Sequence, residues 1–260
     1  MRTLYIVKTG STFPAIAQEH GDFEDWIADG LYPPHVLPAE RLDVQVIDAQ
    51  THSTAPLAYP DPHLCAGIII SGSHDMVTEQ APWMQHLQQW LLQVCHTDIP
   101  VLGICFGHQM LAHALGGQVG VHSGGLEIGT VPVAIQADVE SDPLWKHMPN
   151  CFDAQVVHYQ TVLRLPDHAC ALAGNSHEPH QAFRWRNNVW GVQFHPEFSA
   201  SAMRGYIEHV AANEDPHGLN ATSTRAPLSV DTPESEQLLY YFGLHVQQFA
   251  QHTRGFQRAA

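Results

Sequence analysis

Basic residues are scarce in this chain. It carries 11 Lys and Arg against 26 Asp and Glu, a formal net charge of −15 over 260 residues. No run of Lys or Arg occurs, so no broad positive surface for nucleic acid or an anionic membrane is expected. No apolar stretch is long enough to span a bilayer. Met1–Val7 leads straight into a predicted strand rather than a secretory leader. Cysteine is sparse: five residues, at positions 65, 95, 105, 151 and 170, with no CxxC pair. Neither a disulfide framework nor a zinc knuckle is indicated, and a reducing cytoplasm is the expected location. GxGxxG, P-loop and HExxH patterns are missing too. No nucleotide, organic cofactor or metal is therefore expected, and no internal repeat is visible.

What is present centres on Gly103-Ile104-Cys105-Phe106-Gly107. Val101, Leu102 and Ile104 form the apolar, partly β-branched run of a strand buried on both faces of a parallel sheet. Gln109 to Leu115 reads as helix, stopped by Gly116-Gly117. A strand, G-x-C-x-G and a helix together make a nucleophile elbow with sulfur in place of oxygen. The turn lifts the Cys105 side chain off the sheet edge and aims a helix N-terminus at it, which favours the thiolate. An isolated cysteine is more often a buried structural residue; the elbow around Cys105 argues against that reading.

A thiol nucleophile needs a base. Val189 to Phe194 reads as a strand, and His195-Pro196-Glu197 follows it. On extended chain His195 and Glu197 point to one side, so the carboxylate can orient the imidazole. The chain holds 20 histidines and most must be ordinary; the strand, the His-Pro-Glu run and an upstream cysteine elbow single out His195. Gln109 lies one helical turn past Cys105 on the same side, whereas His108 points elsewhere and reads as structural.

Gly103 to Gln109 and Gly191 to Glu197 resemble the two signatures of the class I (triad-type) glutamine amidotransferases, in the branch of free-standing proteins similar to the glutaminase domain of GMP synthetase. Plant γ-glutamyl peptidases share that look. The resemblance covers about residues 1–210. It implies a Cys105, His195, Glu197 triad that attacks the γ-carboxamide of L-glutamine and passes through a γ-glutamyl thioester. It implies an oxyanion hole at the Ser71-Gly72-Ser73 loop, with Ser73 and Phe106 as N–H donors and Gly72 allowing the tight path. This loop departs from the family, having Ser73-His74 where Gly-Pro is common. It implies that Gln109 binds the amino-acid end of the substrate, with His158, Tyr159 and Gln160 contributing backbone contacts. A plain strand-end turn remains the alternative for those three, and an ordinary strand-to-helix turn for Gly72 and Ser73. The chain has no room for an acceptor domain, which leaves a separate synthetase subunit to take the ammonia. A γ-glutamyl peptidase using the same triad on γ-glutamyl compounds is the alternative enzyme, and a non-catalytic binding protein the alternative outside enzymes.

The remaining pattern fits an α/β fold: three layers, a mostly parallel flavodoxin-like sheet with helices on both faces, and an antiparallel β extension. Leu4–Val7, Leu42–Ile47 and the apolar Gly67–Ile70 read as strands. Phe23, Trp26, Ile27 and Leu31 mark one helix, and Pro82 followed by Trp83, Leu87, Trp90, Leu91 and Val94 another. Residues 125–194 read as short strands joined by Pro, Asn, Asp and Gly turns, with antiparallel pairing and a small ribbon over the site. The catalytic unit is expected over 1–212. A linker rich in Asn, Asp, Pro, Ser and Thr follows over 213–233. A helix over 234–260 either packs on the domain or serves a partner.

Overall fold

The computed structural model describes residues 2–33, 36, 41–50, 59–212 and 229–259, with side chains to residue 252. In chain order the strands are β1 (Thr3–Lys8), β2 (Val44–Asp48), β3 (Cys65–Ile70), β4 (Val101–Ile104), β5 (Gln118–Val121), β6 (Glu127–Ile135), β7 (Cys151–His158), β8 (Gln160–Arg164), β9 (Ala169–Gly174), β10 (Ala182–Trp185) and β11 (Val189–Val192). The helices are α1 (Pro14–His20), α2 (Phe23–Leu31), α3 (Pro82–Cys95), α4 (Phe106–Ala114), α5 (Ala200–Ala212) and α6 (Pro233–Ala259).

Nine strands form one sheet in the order β2-β1-β3-β4-β11-β10-β9-β6-β7. The pairs from β2 to β11 are parallel, and those from β11 to β7 antiparallel. β5 and β8 make a separate antiparallel ribbon. This is the α/β sheet with an antiparallel extension that the sequence pattern implies.

Alternation along the central strands explains the layers, because successive strand side chains point to opposite faces. Leu4, Ile6, Ile69, Leu102, Ile104, Trp190 and Val192 enter one core, with Ile27 and Leu31 of α2 and with Leu238, Leu239, Phe242 and Val246 of α6. Val7, Ile68, Ile70, Val101 and Val189 enter the other, against Trp83, Leu87 and Leu91 of α3 and Phe106, Met110 and Leu111 of α4. Local signals match. Asp22 and Asp25 form a capping box on α2, and Pro82 opens α3. Ser199 caps α5, accepting a bond from the Ala202 N–H at 3.1 Å.

Three sequence readings need adjustment. α4 begins at Phe106, directly after the cysteine, rather than at Gln109. β11 stops at Val192, so His195-Pro196-Glu197 is not extended: His195 makes an isolated bridge to Gln155, and the chain then turns. α1, opened by Pro14, has no counterpart in the sequence reading. Most of the expected linker, residues 213–228, lies outside the described residues; Ser229 and Val230 bond Ala200 and Thr130, and α6 opens at Pro233. Four α6 side chains (Leu238, Leu239, Phe242 and Val246) are fully buried. Burial of that kind contributes about 1.5–3 kcal/mol per residue.

Candidate active site

The turn that carries Cys105 is built by close packing. Cys105 sits at φ 49°, ψ −101°, a left-handed backbone conformation for a residue with a Cβ. Such strain costs about 1–3 kcal/mol and persists only where the surroundings enforce it. Here they do. A Cβ on Gly103 would lie 2.4 Å from the Gly107 carbonyl oxygen, and one on Gly107 would lie 2.4 Å from that of Ile70. Only glycine at both positions lets β4, the turn and β3 come together this closely. The N–H of Phe106 opens α4 and has no intrahelical acceptor, so it stays available beside the sulfur.

The second half of the site comes from the end of β11. His195 is 2% exposed and Glu197 8% exposed. His195 Nδ1 lies 2.7 Å from Glu197 Oε1. The ring packs on Phe198, with centroids 4.1 Å apart, and is roughly parallel to Phe23. Its Nε2 is buried without a partner of full hydrogen-bond geometry; the group that acts on it is Cys105. Burial alone would pull the imidazole pKa down. The charge of Glu197, then that of Cys105, outweighs burial and raises it to about 10. The histidine therefore favours the imidazolium, the form that supports a neighbouring thiolate.

Around the sulfur the polar groups form a chain. Gln193 Nε2 donates toward Cys105 Sγ at 3.5 Å, and Gln193 Oε1 accepts from Gln109 Nε2 at 2.9 Å. Gln109 Nε2 also donates to the Gln160 carbonyl at 2.8 Å. Both N–H groups of Gln109 are thus used, and what it offers the cavity is its Oε1. Sequence reasoning passed over Gln193, although it lies two residues before His195 in the stretch Gly191 to Glu197; its contacts with Gln109 and Cys105, 84 and 88 residues away, left no local signal.

The Ser71–Ser73 loop passes beside Cys105 and His195. A Cβ on Gly72 would lie 3.1 Å from His195 Cε1, so a larger residue there would press on the imidazole. The Thr9 hydroxyl is 2.9 Å from the Ser71 carbonyl and 3.0 Å from that of Gly72, and the Thr9 N–H donates to Ser71 Oγ at 3.0 Å. These contacts fix the path of the loop from the end of β1.

His158 is engaged on both ring nitrogens: Nε2 with Glu127 Oε2 at 2.8 Å, Nδ1 with the Gln160 carbonyl at 3.0 Å. Asn175 and Gln181 donate to the same carboxylate, each at 2.9 Å. Burial opposes both charges, but their hydrogen bond and mutual attraction dominate, raising His158 and lowering Glu127. The His158 side chain is thus committed to the protein, and only its backbone is left for a ligand. His108 is fully buried, packed on Phe183, and burial drives its pKa down to about 3.

Ser73, Cys105, Phe106, Gln109, His158, Tyr159, Gln160 and His195 all line one cavity of about 460 Å³. Gly72 and Glu197 are not among its lining residues: Gly72 packs against His195 and Cys105, and Glu197 bonds His195 Nδ1. The cavity's other wall includes Phe13, His74, Tyr206 and His209, which the sequence reading did not connect with the site. Among the described residues no group of three or more His, Cys, Asp and Glu is arranged to hold a metal ion.

Comparison with known proteins gives this arrangement a context. The family model for class-I glutamine amidotransferases matches residues 35–211. A GMP synthase [glutamine-hydrolyzing] from Thermosipho melanesiensis is 34% identical over 154 residues, 56% of this chain and 28% of that protein. Gamma-glutamyl peptidase 4 from Arabidopsis thaliana is 29% identical over 148 residues, 56% of this chain and 59% of that protein. The chain thus spans about a quarter of the length of the GMP synthases it matches. In fold, it superposes on a glutamine amidotransferase from Thermotoga maritima with a TM-score of 0.67 at 21% identity, covering 95% of this chain and 99% of that one.

Proposed function

The chain belongs to the class-I glutamine amidotransferase family, and from that premise we propose that it hydrolyses the γ-amide of L-glutamine through Cys105, His195 and Glu197. One observation carries the reading: a strained cysteine elbow sharing a buried cavity with an imidazole whose far nitrogen is held by a carboxylate at 2.7 Å. The Cys105 thiolate attacks the γ-carbonyl carbon, and the oxyanion forms against the N–H groups of Ser73 and Phe106. Two such fixed donors are worth about a hundredfold or more each. As the tetrahedral adduct collapses, the C–N bond breaks and His195 gives its proton to the leaving nitrogen, which departs as ammonia. Water, deprotonated by His195, then attacks the γ-glutamyl thioester; the C–S bond breaks and glutamate leaves. Glu197 holds the imidazole and balances its charge throughout. Gln109 Oε1 receives the substrate α-ammonium, with backbone groups of His158, Tyr159 and Gln160 nearby. No metal or organic cofactor enters these steps.

In this reading the ammonia passes to a separate acceptor or synthetase subunit, as the GMP synthase relatives suggest, and the protein works in the cytoplasm, where its five unpaired cysteines would stay reduced. A second reading, hydrolysis of γ-glutamyl compounds without a partner, draws support from the greater share of the plant γ-glutamyl peptidase that the chain covers. The test is glutamate release from L-glutamine by the purified protein, with Cys105→Ala as control. Turnover that the variant lacks is expected; turnover retained by the variant would refute the assignment.

A further inference from the structure

The cavity has two unlike walls. Beside Gln109 and the 158–160 segment it is polar, suited to an amino-acid end. Beyond His195 it is a set of rings. Phe13 stacks on His74, with centroids 4.3 Å apart, and on His209, at 3.6 Å. Tyr206 lies 5.0 Å from Phe13 and its hydroxyl is 3.0 Å from His74 Nε2 and 2.8 Å from Thr12 Oγ1. These rings continue through Phe198 to the catalytic imidazole: Tyr206 is 5.0 Å and His195 4.1 Å from the Phe198 centroid.

Position gives this wall its meaning. His195 must protonate the departing nitrogen, so the leaving group exits on the histidine side of the scissile bond. Ammonia needs almost no space there. Yet the cavity, at about 460 Å³, falls within the range of pockets that enclose drug-sized ligands, on the order of 300–1,000 Å³. His74 itself occupies the place where the resembling family commonly has proline. Its ring is held by Tyr206 and stacked on Phe13, so the departure builds part of the wall. Among the described residues that line the cavity none is Lys or Arg, the side chains that would meet the carboxylate of an amino-acid leaving group.

We propose that Phe13, His74, Tyr206 and His209 form a leaving-group subsite that favours γ-glutamyl amides of arylalkyl amines over ring-free γ-glutamyl amides and γ-glutamyl dipeptides. The inference rests on the triad reading above and extends it to the amine. The chemistry is unchanged. Cys105 forms the thioester, the C–N bond breaks, His195 transfers its proton to the departing arylalkyl amine, and water hydrolyses the thioester to glutamate. Ring stacking on a preformed wall supplies the selectivity.

The test compares γ-L-glutamylbenzylamide with γ-L-glutamylmethylamide, whose amines differ mainly in the ring, alongside L-glutamine and γ-L-glutamylglycine. Wild type should cleave the benzylamide at least about tenfold better in kcat/KM than the methylamide or the glycine conjugate. Phe13→Ala and, as a second variant, His209→Ala should each lower the benzylamide-to-methylamide ratio several-fold. Calorimetry on Cys105→Ala should show the benzylamide binding about tenfold more tightly than the methylamide. Glutamine turnover with equal handling of the two amides, or a ratio indifferent to both wall variants, would overturn this proposal while leaving the triad reading intact. A folded wild-type protein that releases glutamate from none of the four compounds would overturn both.

Discussion

Two buried imidazole–carboxylate pairs stand close together in this protein, and their geometry is nearly the same. His195 meets Glu197 at 2.7 Å and His158 meets Glu127 at 2.8 Å. Burial lowers each histidine's pKa, and the partner charge more than reverses it. They differ at the other nitrogen. His158 Nδ1 is bonded to the Gln160 carbonyl, and Asn175 and Gln181 saturate its carboxylate. His195 Nε2 has no such partner and is left to Cys105. A shifted pKa therefore does not single out the candidate base; a nitrogen left unsatisfied beside a cysteine sulfur does. The satisfied pair holds the Gln160 carbonyl, and through it Gln109. The unsatisfied one is placed to move a proton.

The comparison can be broken most decisively at the sulfur and the open nitrogen. Cys105→Ala and His195→Ala should each cut glutamate release by about 10⁴-fold or more with the fold retained, since groups that act as a unit fail together. Steady-state assay with circular dichroism checks this. Glu197→Gln should lower kcat/KM by roughly 10²–10⁴-fold. It should also shift the pH profile. In the proposed mechanism the wild-type imidazolium is lost only as pH rises toward about 10. Without the Glu197 charge the largest effect opposing burial is removed, so the alkaline limb should move to lower pH. A limb that stays in place would mean Glu197 does not set the charge state of His195.

Gln193→Leu removes the donor 3.5 Å from the sulfur. A hydrogen bond to a charged group is worth about 1.5–3 kcal/mol, so a loss of roughly 10–100-fold in alkylation of Cys105 is expected, read by iodoacetamide kinetics. Glu127→Gln should act mainly on stability, lowering it by about 1–3 kcal/mol, with kcat changed less than about threefold. Its pH signature follows from the two shifts. Glu127 is lowered, so its stabilisation is lost as pH falls through a value below the ordinary 4.5; His158 is raised, so its share is lost as pH rises through a value above the ordinary 6.5. Thermal melts across pH should show this plateau in wild type and a flatter curve in the variant. A large fall in kcat for Glu127→Gln would erase the distinction between the pairs.

Much of the site was readable from sequence because its parts are local. Gly103, Cys105 and Gly107 lie within five residues, and the close approach they permit leaves a spacing signature. His195 and Glu197 are two apart. The central strands declare themselves because both faces are buried. Partners brought from far along the chain left no such trace. Thr9 and Ser71 are 62 residues apart, and Tyr206 reaches Thr12 across 194. Glu127 and His158 meet only because β6 and β7 pair in that register. The apolar stripe of α6 was visible, but not what would cover it; its contact with α2 and the sheet depends on the tertiary fold. Likewise no local pattern ties Phe13 to His74 and His209, which stack on it from far along the chain.

The most direct test is covalent labelling with the glutamine analogue 6-diazo-5-oxo-L-norleucine, followed by peptide mass spectrometry, in wild type, His195→Ala and Glu127→Gln. The account predicts a single adduct on Cys105, a labelling rate that collapses in His195→Ala, and one nearly unchanged in Glu127→Gln. Labelling of another cysteine, or equal loss of labelling in both variants, would contradict it.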